Sequence, residues 1–287
     1  MTNHAGPIVA QRDGLTAIDC RSCGFIHLDW LPGGAELAAY YQSDFWQTEK
    51  SGWRERHEAE RDWLDMRHDD WLSLLAANTL GRTLLDVGCG WGHFLERANT
   101  QGWNGAGVEP SAEAAAYCAG NGVRVLAGDW SAVGGRFDAI TAFWLIEHLP
   151  DPAAFLRWAR RRLYSGGTLM LSVPQEWTAE VADASPLASV PNWWLHYTHL
   201  NYFTAASLGN LLGRCGFRVI DSLTSYPMAQ WIELGEDYTA DPEIGSRLHK
   251  AVRRIELGLT PEARLSIARL RARQAAGRDL VLICKPE

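Results

Sequence analysis

A glycine-rich turn, followed at a distance by an acidic residue, is the feature of this sequence best suited to hold a ligand. Segment 84–98 reads as a strand, a turn containing Gly88, Gly90 and Gly92, and a helix. Glycines let the backbone bend sharply and approach a ligand, and the helix N-terminus offers unpaired N–H groups. Glu109 follows about 20 residues later, after the next predicted strand, where a carboxylate can accept both ribose hydroxyls. The pattern indicates a nucleoside-binding turn.

The glycine spacing separates two classes of nucleoside-binding enzyme. An NAD-dependent oxidoreductase needs the wider G-x-G-x-x-G turn for its pyrophosphate, whereas this chain has G-C-G-W-G. Segment 86–92, DVGCGWG, resembles the first motif of class I S-adenosylmethionine-dependent methyltransferases. IEHLPDP at 146–152, the run from His199 to Phe217 and the closing GRDLVLICKP are also typical of the small-molecule branch of that family. The resemblance implies S-adenosylmethionine as cofactor and S-adenosylhomocysteine as product.

The resemblance also implies which residues bind the cofactor. They are Asp86, Gly88, Cys89, Gly90, Gly92, Glu109, Asp129, Trp130, Phe143 and Trp144. Asp86 and the glycine-turn backbone would hold the methionine part, and Glu109 the ribose. Asp129 would meet the adenine amino group while Trp130 covers the ring. Residues 143–144 would flank the cofactor.

Three histidines are candidate bases for methyl transfer. An oxygen acceptor must lose a proton, and histidine is the side chain best matched to neutral pH. His148, after the fourth strand of the predicted sheet, is the first candidate, although it could instead only fix its loop. His196 and His199 lie in the loop after the fifth strand, and either could act as a base or orient the substrate.

Aromatic residues are predicted at both pockets. Those expected to form a wall of the acceptor pocket are Trp193, Trp194, Tyr197 and Tyr202. Such rings stack on a sugar or an aromatic ring, or contact a cation. Core packing is the alternative, because the chain contains 14 tryptophans. Upstream, Tyr41 and Trp46 are predicted to reach the cofactor pocket.

Two sequence features bear on metal binding. The ubiquinone-biosynthesis O-methyltransferases, which this chain resembles around His148, can place a divalent metal with a Glu-x-x-Glu-His cluster. Trp144 stands at the first Glu position and leaves only Glu147 and His148, so we predict no metal there.

Cys20-x-x-Cys23 resembles the second half of a zinc ribbon that precedes some methyltransferases of polysaccharide and secondary-metabolite clusters. Structural zinc takes four ligands, and only His4 or His27 could supplement the pair. We therefore predict a degenerate ribbon without zinc, which packs the N-terminal segment on the catalytic domain.

The elements that position these residues follow from hydrophobic periodicity. Apolar strand-like runs alternate with helical stretches at 84–87, 105–108, 123–127, 139–143, 168–173, 218–220 and 279–284. This alternation predicts a Rossmann-like, doubly wound α/β sheet of seven strands, with the last one antiparallel. Asp151 and Pro152 are predicted to start one helix, and Ser165–Gly167 to end it.

The chain is predicted to have three regions. Residues 1–45 form an appendage with strands near 15–18 and 25–28, and residues 46–78 form a helical cover. Residues 79–287 form the methyltransferase domain, with a helical insertion at about 228–276.

Composition indicates which classes of partner and which cell compartment to expect. A net charge of −7 disfavours a nucleic-acid partner, and the basic run 157–162 fits a solvated helix face. The chain lacks a signal peptide pattern and any run of eighteen apolar residues, so we expect a cytoplasmic protein without a membrane partner. Cysteines 89, 118, 215 and 284 are expected to be reduced and buried. Formation of a homodimer is left open.

The leading hypothesis is methyl transfer to a hydroxyl of a small-molecule acceptor of the sugar-containing or secondary-metabolite type. N-methylation of a small amine is one alternative, because a neutral amine needs no strong base. A catalytically inactive protein that binds S-adenosylmethionine is another.

Overall fold

The computed structural model describes residues 4–30, 34–43, 45–46 and 52–287. The strands are β1 (Ile8–Arg12), β2 (Leu15–Cys20), β3 (Phe25–Leu28), β4 (Thr83–Val87), β5 (Asn104–Val108), β6 (Arg124–Ala127), β7 (Phe137–Phe143), β8 (Leu163–Pro174), β9 (Asn201–Tyr202), β10 (Phe217–Thr224) and β11 (Asp279–Pro286). The helices are α1 (Gly34–Ser43), α2 (Trp53–Ala59), α3 (Arg61–Asn78), α4 (His93–Thr100), α5 (Ala112–Gly120), α6 (Pro152–Arg162), α7 (Ala179–Ala184), α8 (Ala205–Arg214), α9 (Gln230–Glu233), α10 (Pro242–Leu257) and α11 (Pro261–Arg273).

The predicted Rossmann-like sheet is confirmed. Within the described residues it has seven strands in the order β10-β11-β8-β7-β4-β5-β6. Strands β4 to β8 pair in parallel, whereas β11 is antiparallel to both β8 and β10. Parallel strands are covered on both faces, which is why they read as continuous apolar runs.

Helices cover both faces of this sheet. On one face, Phe155 and Leu156 of α6 pack with Leu208 of α8 against the strands. On the other face, Trp71 of α3 and Phe94 of α4 pack against the strands. The two cores hold the strands in register, so the carboxyl ends of β4, β5, β7 and β8 meet at one edge.

Helix α6 begins as predicted but ends earlier. The Asp151 side chain accepts a hydrogen bond from the Ala154 N–H at 2.8 Å, and Pro152 occupies the first turn. The helix ends at Arg162, and residues 165–167 lie within β8, so the predicted stop at the glycines is wrong. The reason is that Leu163 is already buried and paired with Phe137 of β7.

The N-terminal strands belong to a second sheet with the order β1-β2-β3-β9. Ile26 pairs with Tyr202, and His27 with Asn201. Because β9 comes from the long loop after β8, segment 4–30 is joined to that loop. The three-region division stays a prediction, but this sheet crosses its boundaries.

The helical cover is tied to the insertion by a partly buried ion pair. Arg264 of α11 donates to both carboxylate oxygens of Asp70 in α3, at 2.7 and 2.9 Å.

Over the described ranges, no helix combines the length and apolar character needed to cross a membrane.

Candidate active site

The turn after β4 has the conformation that its glycines predict. Gly88, Gly90 and Gly92 have φ values of 77°, 53° and 80°, a region that favours glycine. A β-carbon on Gly92 would lie 2.8 Å from the Cys118 sulfur. The N–H groups of Gly88 and Cys89 donate to the Val108 carbonyl at 2.8 and 3.0 Å, which ties the turn to the end of β5.

Glu109 faces this turn from the end of β5. Its Oε2 accepts from the Gly90 N–H at 2.9 Å. Its Oε1 accepts from the Ser111 N–H at 2.9 Å and from the Trp46 indole at 3.4 Å. Burial raises the pKa of Glu109. The carboxylate thus faces the glycine turn, and its contact with the ribose stays a prediction.

Asp86 is a second buried carboxyl group at the same edge. Thr141 Oγ1 donates to its Oδ1 at 2.7 Å, and burial raises its pKa to about 7. Among the described residues, neither Asp86 nor Glu109 forms an ion pair with a basic side chain. Two such carboxyl groups fit a ligand that brings its own positive charges and hydroxyls, as S-adenosylmethionine does.

Trp46 covers the glycine turn, and its reach into the cofactor pocket stays a prediction. A β-carbon on Gly90 would lie 3.1 Å from its ring. The ring also packs on Trp53 and Trp91, each with centroids 5.4 Å away. Because the Trp46 indole donates to Glu109 Oε1, Trp46 and a bound ribose would compete for that oxygen. Tyr41 instead packs on His148, at 5.7 Å between ring centroids.

Residues 129–130 lie after β6. Asp129 is exposed and accepts from the Ser131 N–H at 2.8 Å. The Trp130 ring packs on Phe155 and Trp158 of α6, with centroids at 5.5 and 5.3 Å. Their roles at the adenine stay predictions.

Residues 143–144 end β7. Phe143 packs between Trp71 and Phe94, with centroids at 4.6 and 4.9 Å. Trp144 has a φ of 49°, is 39% exposed, and donates from its indole to Asp279 at 3.4 Å. Contact of this pair with the cofactor also stays a prediction.

The three predicted histidines come together beside this edge. The ring centroids of His148 and His199 are 4.9 Å apart, and those of His196 and His199 are 5.8 Å apart. His148 Nδ1 lies 2.7 Å from the Thr198 carbonyl oxygen. Because a carbonyl only accepts, we infer that Nδ1 carries the proton and that Nε2 is the nitrogen able to take one.

His199 has a carboxylate partner. Its Nδ1 lies 2.7 and 2.9 Å from the two oxygens of Glu176, so Nδ1 donates and Nε2 can accept a proton. His196 differs, because its Nδ1 accepts from the Thr198 N–H at 3.3 Å and thereby shapes the loop. The carboxylate partner distinguishes His199 from His148, which the sequence ranks first, and the catalytic role of each histidine stays a prediction.

Two acidic residues complete this group, of which the sequence pattern indicates only Glu147, as a remnant of the metal motif, and not Glu176. Glu176 lies just after β8, and its proximity to His199 arises only from folding. Glu147 is fully buried, and among the described residues neither of its oxygens has a hydrogen-bond partner. Burial raises the pKa of Glu147 to about 8, and its Oε1 lies 3.9 Å from His148 Nε2. The position of Glu176, two residues after β8, is the signal that could have found it.

The predicted aromatic wall is only partly present. Trp194 and Tyr202 are 4% and 1% exposed in the core of the small sheet, so they pack there and do not line a pocket. Trp193 packs partly buried against the same core. Tyr197 is 45% exposed, and its hydroxyl lies 3.0 Å from that of Tyr40. Of the four, Tyr197 remains the candidate for acceptor contact.

Binding of the cofactor product should depend on the protonation of Asp86. With a pKa of about 7, this carboxyl is largely ionised near pH 8 and largely protonated near pH 6. The α-ammonium group of S-adenosylhomocysteine favours the ionised form, so binding at low pH must displace a proton. We expect affinity to fall about tenfold from about pH 8 to about pH 6. Calorimetric titrations at both pH values measure the change.

An Asp86→Asn variant is the control for this pH effect. It should bind more weakly, but its affinity should be nearly constant across the same range. An unchanged pH slope in the variant would assign the titration to another group.

The fold and this ligand edge define an S-adenosylmethionine-dependent methyltransferase. The family described as Methyltransferase domain matches residues 55–222, and the chain belongs to that family. The ubiquinone biosynthesis O-methyltransferase of Pseudomonas paraeruginosa is 28% identical over 192 residues, which covers 61% of this chain and 78% of that protein. The protein of the same name from Methylococcus capsulatus is 32% identical over 102 residues, covering 32% of this chain and 43% of its own length.

Solved structures share the fold. Magnesium protoporphyrin IX methyltransferase from Synechocystis, with bound S-adenosylhomocysteine, aligns with a TM-score of 0.56 and 14% identity over 89% of this chain and all of that one. A methyltransferase from Archaeoglobus fulgidus aligns with a TM-score of 0.52 and 17% identity over 82% of this chain and all of its own. Membership of the methyltransferase family, and not these distant structures, identifies S-adenosylmethionine as the methyl donor.

Proposed function

We propose that this methyltransferase transfers its methyl group to a hydroxyl of a small molecule, with His199 as the general base. The observation that carries the proposal is the hydrogen bond from His199 Nδ1 to Glu176, at 2.7 Å, beside the strand ends that bear the cofactor residues. A carboxylate in that position fixes the tautomer and stabilises the imidazolium that forms.

The reaction needs positioning and one proton transfer. Bound S-adenosylmethionine supplies a methyl group on a positively charged sulfur. His199 Nε2 takes the proton of the acceptor hydroxyl. The acceptor oxygen forms a bond to the methyl carbon as the sulfur–carbon bond breaks. The products are a methyl ether, S-adenosylhomocysteine and an imidazolium that later returns its proton to water.

His148 and Glu147 form the inner wall of this site in the proposal. At neutral pH Glu147 is mostly protonated, because its pKa is about 8. A neutral carboxyl beside His148 keeps a negative charge away from the ionising hydroxyl.

The acceptor is proposed to contain a ring. Tyr40 and Tyr41 of α1, together with Phe45, bring aromatic surfaces toward His148 and Tyr197. Such surfaces stack on planar or sugar rings. A sugar-containing or secondary-metabolite acceptor, handled in the cytoplasm, fits this lining and the acidic net charge of −7. The O-methyltransferase names of the relatives support oxygen as the methylated atom.

The test is methyl transfer from labelled S-adenosylmethionine to matched acceptors. A panel of phenols, catechols and glycosides is compared with amines of the same ring skeleton, and the bonded atom is identified by mass spectrometry and NMR. We expect label on oxygen. Label found only on nitrogen would replace the proposal with N-methylation. Tight S-adenosylhomocysteine binding with no transfer to any acceptor would favour a catalytically inactive binding protein.

A further inference from the structure

Four potential metal ligands converge at the β2–β3 hairpin of the small sheet. His4, Cys20, Cys23 and His27 each place one nitrogen or sulfur atom within 4.8 Å of all the others. Among the described residues, this is the one group of at least three such side chains that meets this criterion. The sequence predicts a degenerate ribbon here because the first half of a zinc ribbon is absent and only His4 or His27 could supplement the cysteine pair.

The distances in the group fit tetrahedral coordination. Zinc bonds of about 2.0–2.1 Å to nitrogen and about 2.3 Å to sulfur place two nitrogens about 3.3 Å apart, and a nitrogen and a sulfur about 3.6 Å apart. His4 Nδ1 lies 3.1 Å from His27 Nε2, 3.4 Å from the Cys23 sulfur and 3.8 Å from the Cys20 sulfur. We propose that these four side chains form a structural zinc site.

Surrounding hydrogen bonds orient the ligands for this role. His27 Nδ1 donates to the Leu28 carbonyl at 2.6 Å, which leaves Nε2 facing the other three ligands. The Ser22 hydroxyl lies 3.2 Å from the Cys20 sulfur. The Gly24 N–H donates to the Cys20 carbonyl at 2.8 Å, and Gly24 has a φ of 75°, so the turn holds both sulfurs on one side.

The segment that carries His4 is also held in place. The Arg21 N–H donates to the Ala5 carbonyl at 3.1 Å, and the Asp19 N–H donates to the Pro7 carbonyl at 2.9 Å. A β-carbon on Gly6 would lie 1.8 Å from the Asp19 carbonyl oxygen, so only glycine permits this approach. A redox-active cysteine pair would need neither imidazole, whereas a zinc ion uses both.

Zinc at this position would stabilise the acceptor side of the enzyme. His27 pairs with Asn201 of β9, and the Asn201 side chain donates to the Leu149 carbonyl at 2.7 Å. The Leu200 N–H donates to the Glu147 carbonyl at 2.8 Å. The metal is thus connected through one strand pair to the loop that carries His148 and to the segment after His199.

The experiment measures zinc in the protein of 287 residues, purified under reducing conditions after growth with zinc. We expect about one equivalent per chain by elemental analysis, and tetrahedral absorption after exchange with cobalt. Chelation should lower the melting temperature by at least about 5 °C. It should also accelerate hydrogen exchange in 25–28 and 200–203, with β5 as the unaffected reference.

Two variants and a matched control separate the site from incidental binding. Cys23→Ser should lose the metal, whereas Cys215→Ser, at a buried cysteine elsewhere, should keep it. If Cys23→Ser does not fold, His4→Ala decides, because His4 is exposed and its loss leaves the core intact. In His4→Ala, competition with a chelating dye should show zinc affinity reduced at least about tenfold.

Wild-type protein with less than about a tenth of an equivalent of zinc, or equal zinc affinity in His4→Ala, would overturn the proposal. These readouts do not depend on methyl transfer, so failure of the zinc site and failure of the proposed function are distinguishable.

Discussion

Replacing Glu109 with alanine should weaken S-adenosylhomocysteine binding about a hundredfold. The carboxylate is predicted to accept both ribose hydroxyls, and hydrogen bonds to a charged group contribute about 1.5–3 kcal/mol each. The same oxygens now hold the N–H groups of Gly90 and Ser111, at 2.9 Å each. The variant therefore loses a ligand contact and the order of the turn. Calorimetric titration of wild type and variant measures the change.

Two further variants make this result interpretable. Glu113→Ala removes an exposed carboxylate from neighbouring α5 and should leave affinity unchanged. Glu109→Gln keeps one acceptor oxygen and should lose only about tenfold. Circular dichroism and melting temperature check that each protein folds. Affinity within about threefold of wild type in a folded Glu109→Ala protein would remove Glu109 from the cofactor site.

Replacing His199 with alanine should lower kcat at least about a hundredfold at neutral pH. The acceptor hydroxyl then has no base, while the cofactor residues are unchanged, so S-adenosylhomocysteine affinity should stay within about twofold. The measurement pairs turnover on the best hydroxyl acceptor with calorimetric binding. A loss of affinity equal to the loss of turnover would indicate a folding defect instead.

A matched histidine separates catalysis from general electrostatics. His249 on α10 also has a glutamate partner, Glu60, at 3.3 Å, and His249→Ala should keep full turnover. Glu176→Gln should reduce turnover about tenfold and move the acidic limb of the kcat profile to lower pH, because the imidazolium loses its stabilising charge. If His148→Ala loses turnover at least about a hundredfold while His199→Ala keeps full turnover, the base is His148.

The sequence by itself determines the Rossmann-like sheet and the glycine turn with its two acidic residues. Strands β4 to β8 and β11 are apolar runs bounded by turn residues, and these patterns are local, so they can be recognised without coordinates. Asp86, the glycine turn and Glu109 are likewise linked by short spacing within one strand–turn–helix–strand unit. Hydrophobic burial and glycine conformation act over a few residues, which is why these features are predictable.

The tertiary structure alone decides the acceptor side and the N-terminal cluster. Glu176 meets His199 across a gap of 23 residues, and His4 meets His27 across another gap of 23. Strand β9 has two residues, too few for any period, and forms only because β3 presents an unpaired edge to it. Tyr202 and Trp194 pack in the core of the small sheet rather than facing a ligand, because the pairing of β9 with β3 builds that sheet. Such contacts depend on how separate segments pack together, and no local pattern in the chain encodes that packing.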